Sequence, residues 1–87
     1  MAIEQSASIR DQIREFVQSV ASGRGVGGFT DQESLMESGI IDSLSIFRLV
    51  SFLEDTFRIR IGDEEITNDN LKNIDTIEQL VLSKQRR

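Results

Sequence analysis

The chain has 87 residues, 38% of them hydrophobic, which suits one small globular domain and is too short for two. With no Cys and no His, disulfide frameworks, the common zinc sites and Ser-His or Cys-His catalytic pairs are excluded. A net charge of −5 repels a phosphate backbone, so no nucleic acid is expected as a partner.

Ile9, Ile13, Phe16, Val17 and Val20 form one apolar stripe of helical period and predict a first helix over about 4–22. It should stop at Ser22-Gly23, where glycine offers a C-terminal cap. Residues 22–42 then read as a long loop anchored in the core by Phe29 and Leu35. Loops of this length are uncommon in small domains and are often functional. Inside it, Gly23-Arg24-Gly25-Val26-Gly27-Gly28 matches G-x-G-x-x-G. A helix precedes that match and an acidic loop follows it, so it reads as a flexible glycine loop rather than a dinucleotide fingerprint.

A second helix is expected over 42–57, with Ile46, Leu49, Val50, Leu53 and Phe57 as its core stripe. Asp42 is its N-cap, which puts Ser43 at the first helical position. Arg58–Ile61 reads as a short extended segment, and Gly62 turns the chain. Thr67-Asn68-Asp69-Asn70 predicts the cap and first turn of a brief helix over 67–73 with Leu71 buried. Asp75-Thr76-Ile77-Glu78 has capping-box spacing and opens a helix over 75–84, burying Ile77, Leu80 and Val81 with Ile74 as a staple. The expected fold class is therefore all-α: one domain over 1–87, a small four-helix bundle of three main helices, a short one and a long first loop. No apolar run approaches the roughly 20 residues of a membrane span and no signal-peptide pattern opens the chain, so a cytoplasmic protein with no membrane span is expected.

Charge is unevenly placed. Residues 31–42 sum to −4 and 63–78 to −5, while 43–62 between them sum to +1. The acidic stretch 63–78 is no EF-hand, because no register places a glycine at the sixth loop position. No metal site is expected, and no catalytic residue either: nothing singles out a carboxylate pair, and no imidazole is present to activate a Ser, Thr or Lys. Gly39-Ile40-Ile41-Asp42-Ser43-Leu44 stands apart. At 100° per residue, Leu44 and Phe47 lie about 160° and 100° from the Ile46 direction, off the core stripe. An exposed apolar patch beside a serine at a helix N-terminus points to a docking surface around a modification site.

On these residues the chain resembles the acyl carrier and peptidyl carrier proteins, a four-helix family modified on serine by 4′-phosphopantetheine. The resemblance runs through Glu37-Ser38-Gly39-Ile40-Ile41-Asp42-Ser43-Leu44, Leu49-Val50-Ser51-Phe52-Leu53-Glu54-Asp55-Thr56-Phe57, Ile59-Arg60-Ile61, Ile66-Thr67-Asn68-Asp69-Asn70-Leu71 and Ile74-Asp75-Thr76-Ile77. It implies that Ser43 is the attachment site for an arm donated by coenzyme A and that Asp42 is its neighbouring acid. It also implies that Leu44, Phe47, Arg48 and Ser51 occupy partner-facing positions of the recognition helix. Two residues, Ile40 and Ile41, separate Gly39 from Asp42, a spacing closer to the stand-alone and D-alanyl carriers than to those of fatty-acid synthesis. Arg48 occupies a position that is acidic in the fatty-acid carriers. The implied function is to hold an acyl or aminoacyl group as a thioester within fatty-acid or secondary-metabolite biosynthesis. The implied partners are a phosphopantetheinyl transferase, an acyl- or aminoacyl-adenylating ligase or acyltransferase, and a downstream synthase or transferase, all serving a monomeric carrier. The alternative is a helical interaction module of the same fold that is never modified.

Overall fold

A computed structural model describes residues 8–25 and 27–85. Three helices order the chain: α1 (Ile9–Gly23), α2 (Ser43–Phe57) and α3 (Ile74–Gln85), with a single 3₁₀ turn at Asp63–Glu65 and no strand among the described residues. α1 packs on both of the others, which also touch each other. None of these helices is long and apolar enough to cross a membrane.

α1 begins at Ile9. Ser8 holds an extended backbone, and its hydroxyl accepts the Asp11 N–H at 3.1 Å, so it serves as the N-cap. The rest of the expected first turn, residues 4–7, lies outside the described residues. Ile13, Val17 and Ala21, spaced at i, i+4 and i+8, are fully buried on α1, and Ile9, Phe16 and Val20 flank them. From α2 come Leu49, Val50 and Leu53; Ile46 and Phe57 pack at the margin. Phe52, off the expected stripe, also packs here: its ring stacks on Phe16 with centroids 4.5 Å apart and meets Phe57 edge-on at 6.3 Å. Such aromatic pairs add about 0.5–1.5 kcal/mol each beyond their buried area.

The long loop is a packed element in its own right. Leu35, Ile40 and Ile41 are buried as deeply as any helical residue, while Phe29 lies partly buried under the Arg14 guanidinium. Its backbone is pinned as well: Leu35 N–H donates to the Lys72 carbonyl at 2.8 Å, and Ile41 N–H to the Leu35 carbonyl at 3.0 Å. Gly39 makes the turn between them with φ of +77°, a conformation that side-chain-bearing residues rarely adopt.

The last third departs from the sequence expectation in two places. Segment 67–73 is a run of turns rather than a short helix. Leu71 N–H reaches the Thr67 carbonyl at 3.1 Å, but the Asn70 amide turns back to the Glu65 carbonyl at 2.9 Å and Leu71 sinks into the core, so the turn does not propagate. α3 starts at Ile74, and its cap is Asn73 rather than Asp75. The Asn73 side chain accepts the Thr76 N–H at 2.8 Å, and the Thr76 hydroxyl accepts the Asn73 N–H at 3.1 Å, a reciprocal box.

Asp75 is unavailable as a cap because Arg10 takes its carboxylate, and Gln32 donates to its other oxygen at 2.8 Å. Arg10 also bonds Asp31 at 2.7 Å and Glu78 at 2.6 Å, and Arg14 pairs with Asp31. One arginine of α1 thereby holds the loop and α3 together. Its guanidinium, with Arg14 adding, keeps the Asp31 carboxyl below the usual carboxylate range. In return, those carboxylates push Arg10 further up.

Candidate functional site

Asp42 sets the geometry of the α2 N-terminus. One carboxylate oxygen accepts the Ser45 N–H at 2.8 Å, while the Asp42 carbonyl accepts the Ile46 N–H at 3.1 Å. The other oxygen accepts from Arg24 Nη1 at 2.9 Å. The Ser45 donors, and after them Arg24, hold the Asp42 carboxyl below its ordinary range, so it is ionised at neutral pH.

With Asp42 as the cap, Ser43 has no structural duty. It is exposed at the first helical position, and among the described residues its hydroxyl makes no hydrogen bond. Among the described residues the backbone N–H groups of Ser43 and Leu44 are also without acceptors, as the first donors of a helix are. The hydroxyl is thus accessible and sits at the positive end of a 15-residue helix.

The other expected site residues share this helix and divide between two adjoining strips. Ser43, Ile46 and Phe47 line one wall of a groove of about 270 Å³. Its remaining walls are Met36 from the loop and Ile66, Thr67, Asn68 and Leu71 from the turns before α3. Beside the groove, Leu44, Arg48 and Ser51 occupy successive turns of the outer face. Leu44 is 78% exposed and Phe47 59%, so the observed helix phase turns both away from the core. Arg48 is exposed and, among the described residues, pairs with no carboxylate.

Sequence patterning misses two parts of this site. The far wall of the groove comes from residues 19 to 28 positions further along the chain, brought close only by tertiary packing. Arg24, within the glycine-rich stretch, carries no local signal that its side chain reaches Asp42. The exposure of Met36 was in principle legible, since it follows the buried anchor Leu35 in a turn.

A scan against protein-family models finds no match for the chain, and no curated protein matches it.

Proposed function

We propose that the chain is a carrier protein that receives 4′-phosphopantetheine on Ser43 and presents an acyl or aminoacyl group to partner enzymes, catalysing no reaction itself. One observation supports this above the rest: a serine at the first position of α2 keeps an exposed, unengaged hydroxyl because the preceding aspartate does the capping. In this reading the helices form a carrier-type bundle, and the turns of 63–73 stand in place of its short helix.

The residues present suit the group. The Ser43 oxygen attacks the phosphorus of coenzyme A that bears pantetheine, with a phosphopantetheinyl transferase as the enzyme. The pyrophosphate P–O bond breaks, adenosine 3′,5′-bisphosphate leaves, and the hydroxyl proton passes to a base on the transferase. The product phosphodiester carries one negative charge next to the free N–H groups of Ser43 and Leu44, an arrangement worth about 0.3–1 kcal/mol. Met36, Ile46 and Phe47 offer the first atoms of the arm an apolar wall. When attached, the arm supplies the thiol that a chain without Cys lacks. Leu44, Phe47, Arg48 and Ser51 then meet the loading ligase or acyltransferase and the downstream synthase or transferase.

Incubation with coenzyme A and a broad-specificity phosphopantetheinyl transferase, read by intact-mass spectrometry, tests the proposal. Addition of one phosphopantetheine to the chain, and none to Ser43→Ala, is expected. If the unsubstituted chain gains no mass, the unmodified interaction module is the better reading.

A further inference from the structure

Arg24 is the C-cap of α1, the first residue past the helix. Its N–H closes the helix onto the Ala21 and Ser22 carbonyls, which fixes where the side chain starts. From there the guanidinium crosses the loop and forks: Nε donates to the Gly39 carbonyl and Nη1 to Asp42, each at 2.9 Å. The segment 39–42 is therefore gripped from two sides, by burial of Ile40 and Ile41 below and by Arg24 above. A planar fork with donors at fixed angles suits that double contact, whereas an ammonium is a single point charge.

The charges around Ser43 give this strap a second meaning. Asp42 is ionised and adjacent in sequence, and a phosphodiester on Ser43 would add a like charge next to it. Like charges at that separation oppose each other unless a cation lies between or beside them. Among the described residues, Arg24 is the cation bonded to this end of α2. Arg48 lies more than a turn further along the helix.

We propose that Arg24 is the positioning residue of the Ser43 site: it fixes Gly39 and Asp42 before modification and offsets the charge that modification adds beside Asp42. The assignment rests on the carrier reading, and it makes Arg24 matter more to the modified chain than to the bare one. A residue that only braced the loop would matter equally to both.

The test is a thermal-stability cycle at low ionic strength on the unsubstituted chain, Arg24→Ala and Arg24→Lys, each before and after phosphopantetheine transfer. Arg24→Ala is expected to lower the Tm of both forms, and to lower that of the modified form by about 2–4 °C more. The extra loss should disappear in about 0.5 M salt, where the Debye length falls to a few ångströms. Arg24→Lys should recover most of the extra loss and little of the common one, since it keeps the charge and loses the fork. Equal losses in both forms overturn the proposal. Failure of any transferase to modify Ser43 overturns the carrier reading instead, and the same cycle run with Ser43→Asp then decides the role of Arg24. A larger Arg24→Ala loss in the Ser43→Asp background supports it; an unchanged one overturns it.

Discussion

Two faces of this small domain treat charge and apolar surface in opposite ways. Where α1 meets the loop and α3, Arg10 and Arg14 are matched by Asp31, Asp75 and Glu78. Every contact there joins segments far apart in sequence. On the exposed side of α2, Leu44 and Phe47 leave most of their surface in water, and Arg48 pairs with no carboxylate among the described residues. The first face closes the fold. The second contributes nothing visible to folding, although burial of a leucine or phenylalanine stabilises by about 1.5–3 kcal/mol. A fold this small gains little by leaving such side chains in water, so the outer face is where interaction with other molecules is to be sought.

The sharpest division between the faces is at Ser43. Ser43→Ala is expected to abolish phosphopantetheine transfer while changing stability by less than about 0.5 kcal/mol, since Asp42 holds the helix end. Intact mass and a melting curve on the same sample check both halves. Label that appears at Ser38 or Ser45 in the variant would move the site.

Next comes a pair of leucines on the same helix. Leu53 is completely buried, and Leu53→Ala should cost about 2–5 kcal/mol of stability through lost contacts and a cavity. Leu44→Glu should leave the melting temperature nearly unchanged and slow modification or loading at least about tenfold, equivalent to about 1.4 kcal/mol. Paired kinetics and denaturation on both variants test the contrast. A sharp fall in Tm for Leu44→Glu without a kinetic effect would place that leucine in the folding core.

The division between the faces also marks how far the sequence is legible. The start of α2, its cap and the outward phase of Leu44 and Phe47 follow from helical period and capping chemistry, which act within a few residues. The same kind of local reading fails at Asp75, whose spacing to Glu78 suits a capping box. Arg10, 65 residues earlier, takes that carboxylate and leaves the cap to Asn73. Ile40 and Ile41 are adjacent, a pattern with no helical or strand period, so their burial depends on the loop folding back along residues 72–75. Arg24 is hidden for the same reason, since a long side chain among glycines gives no local indication of its partner. Local rules give the helix that carries the site; contacts between distant segments supply the site's walls and its strap.

A smaller effect separates the faces by pH. Asp31 is held below the usual carboxylate range by Arg10, so its ion pair contributes fully above the unfolded value of about 3.9. As pH falls below that value the unfolded chain takes up the proton first, and the contribution is lost as pH drops through the folded value. Arg10→Gln should therefore lower Tm by up to about 4 °C at pH 7 and by less near pH 3, narrowing the gap between variant and parent. Melting curves across pH 3–7 show whether the gap closes. A gap independent of pH would mean that Arg10 acts through packing of its stem rather than through its charge.

The mildest change expected is at Arg48, on the open face. A charge exposed to solvent and unpaired costs the fold almost nothing to reverse, so Arg48→Glu should leave Tm within the error of a surface substitution, about ±0.5 kcal/mol. Its consequence belongs to association, where rim charges steer encounter and reject mismatched partners. In the proposed carrier role the first two turns of α2 present Leu44 and Phe47 beside a single positive charge, with no carboxylate on the helix before Glu54. A partner that fits this surface offers an apolar pocket edged by an acid. Arg48→Glu should weaken recognition by such a loading enzyme about three- to fivefold and improve recognition by a transferase with a basic docking face by a similar factor. The opposed changes should both shrink as salt is raised, because exposed charges are screened beyond about 8–10 Å. Values of kcat/KM measured for the two enzymes at low and high salt decide the matter. A change of the same sign with both enzymes would show that Arg48 acts by shape, not by charge.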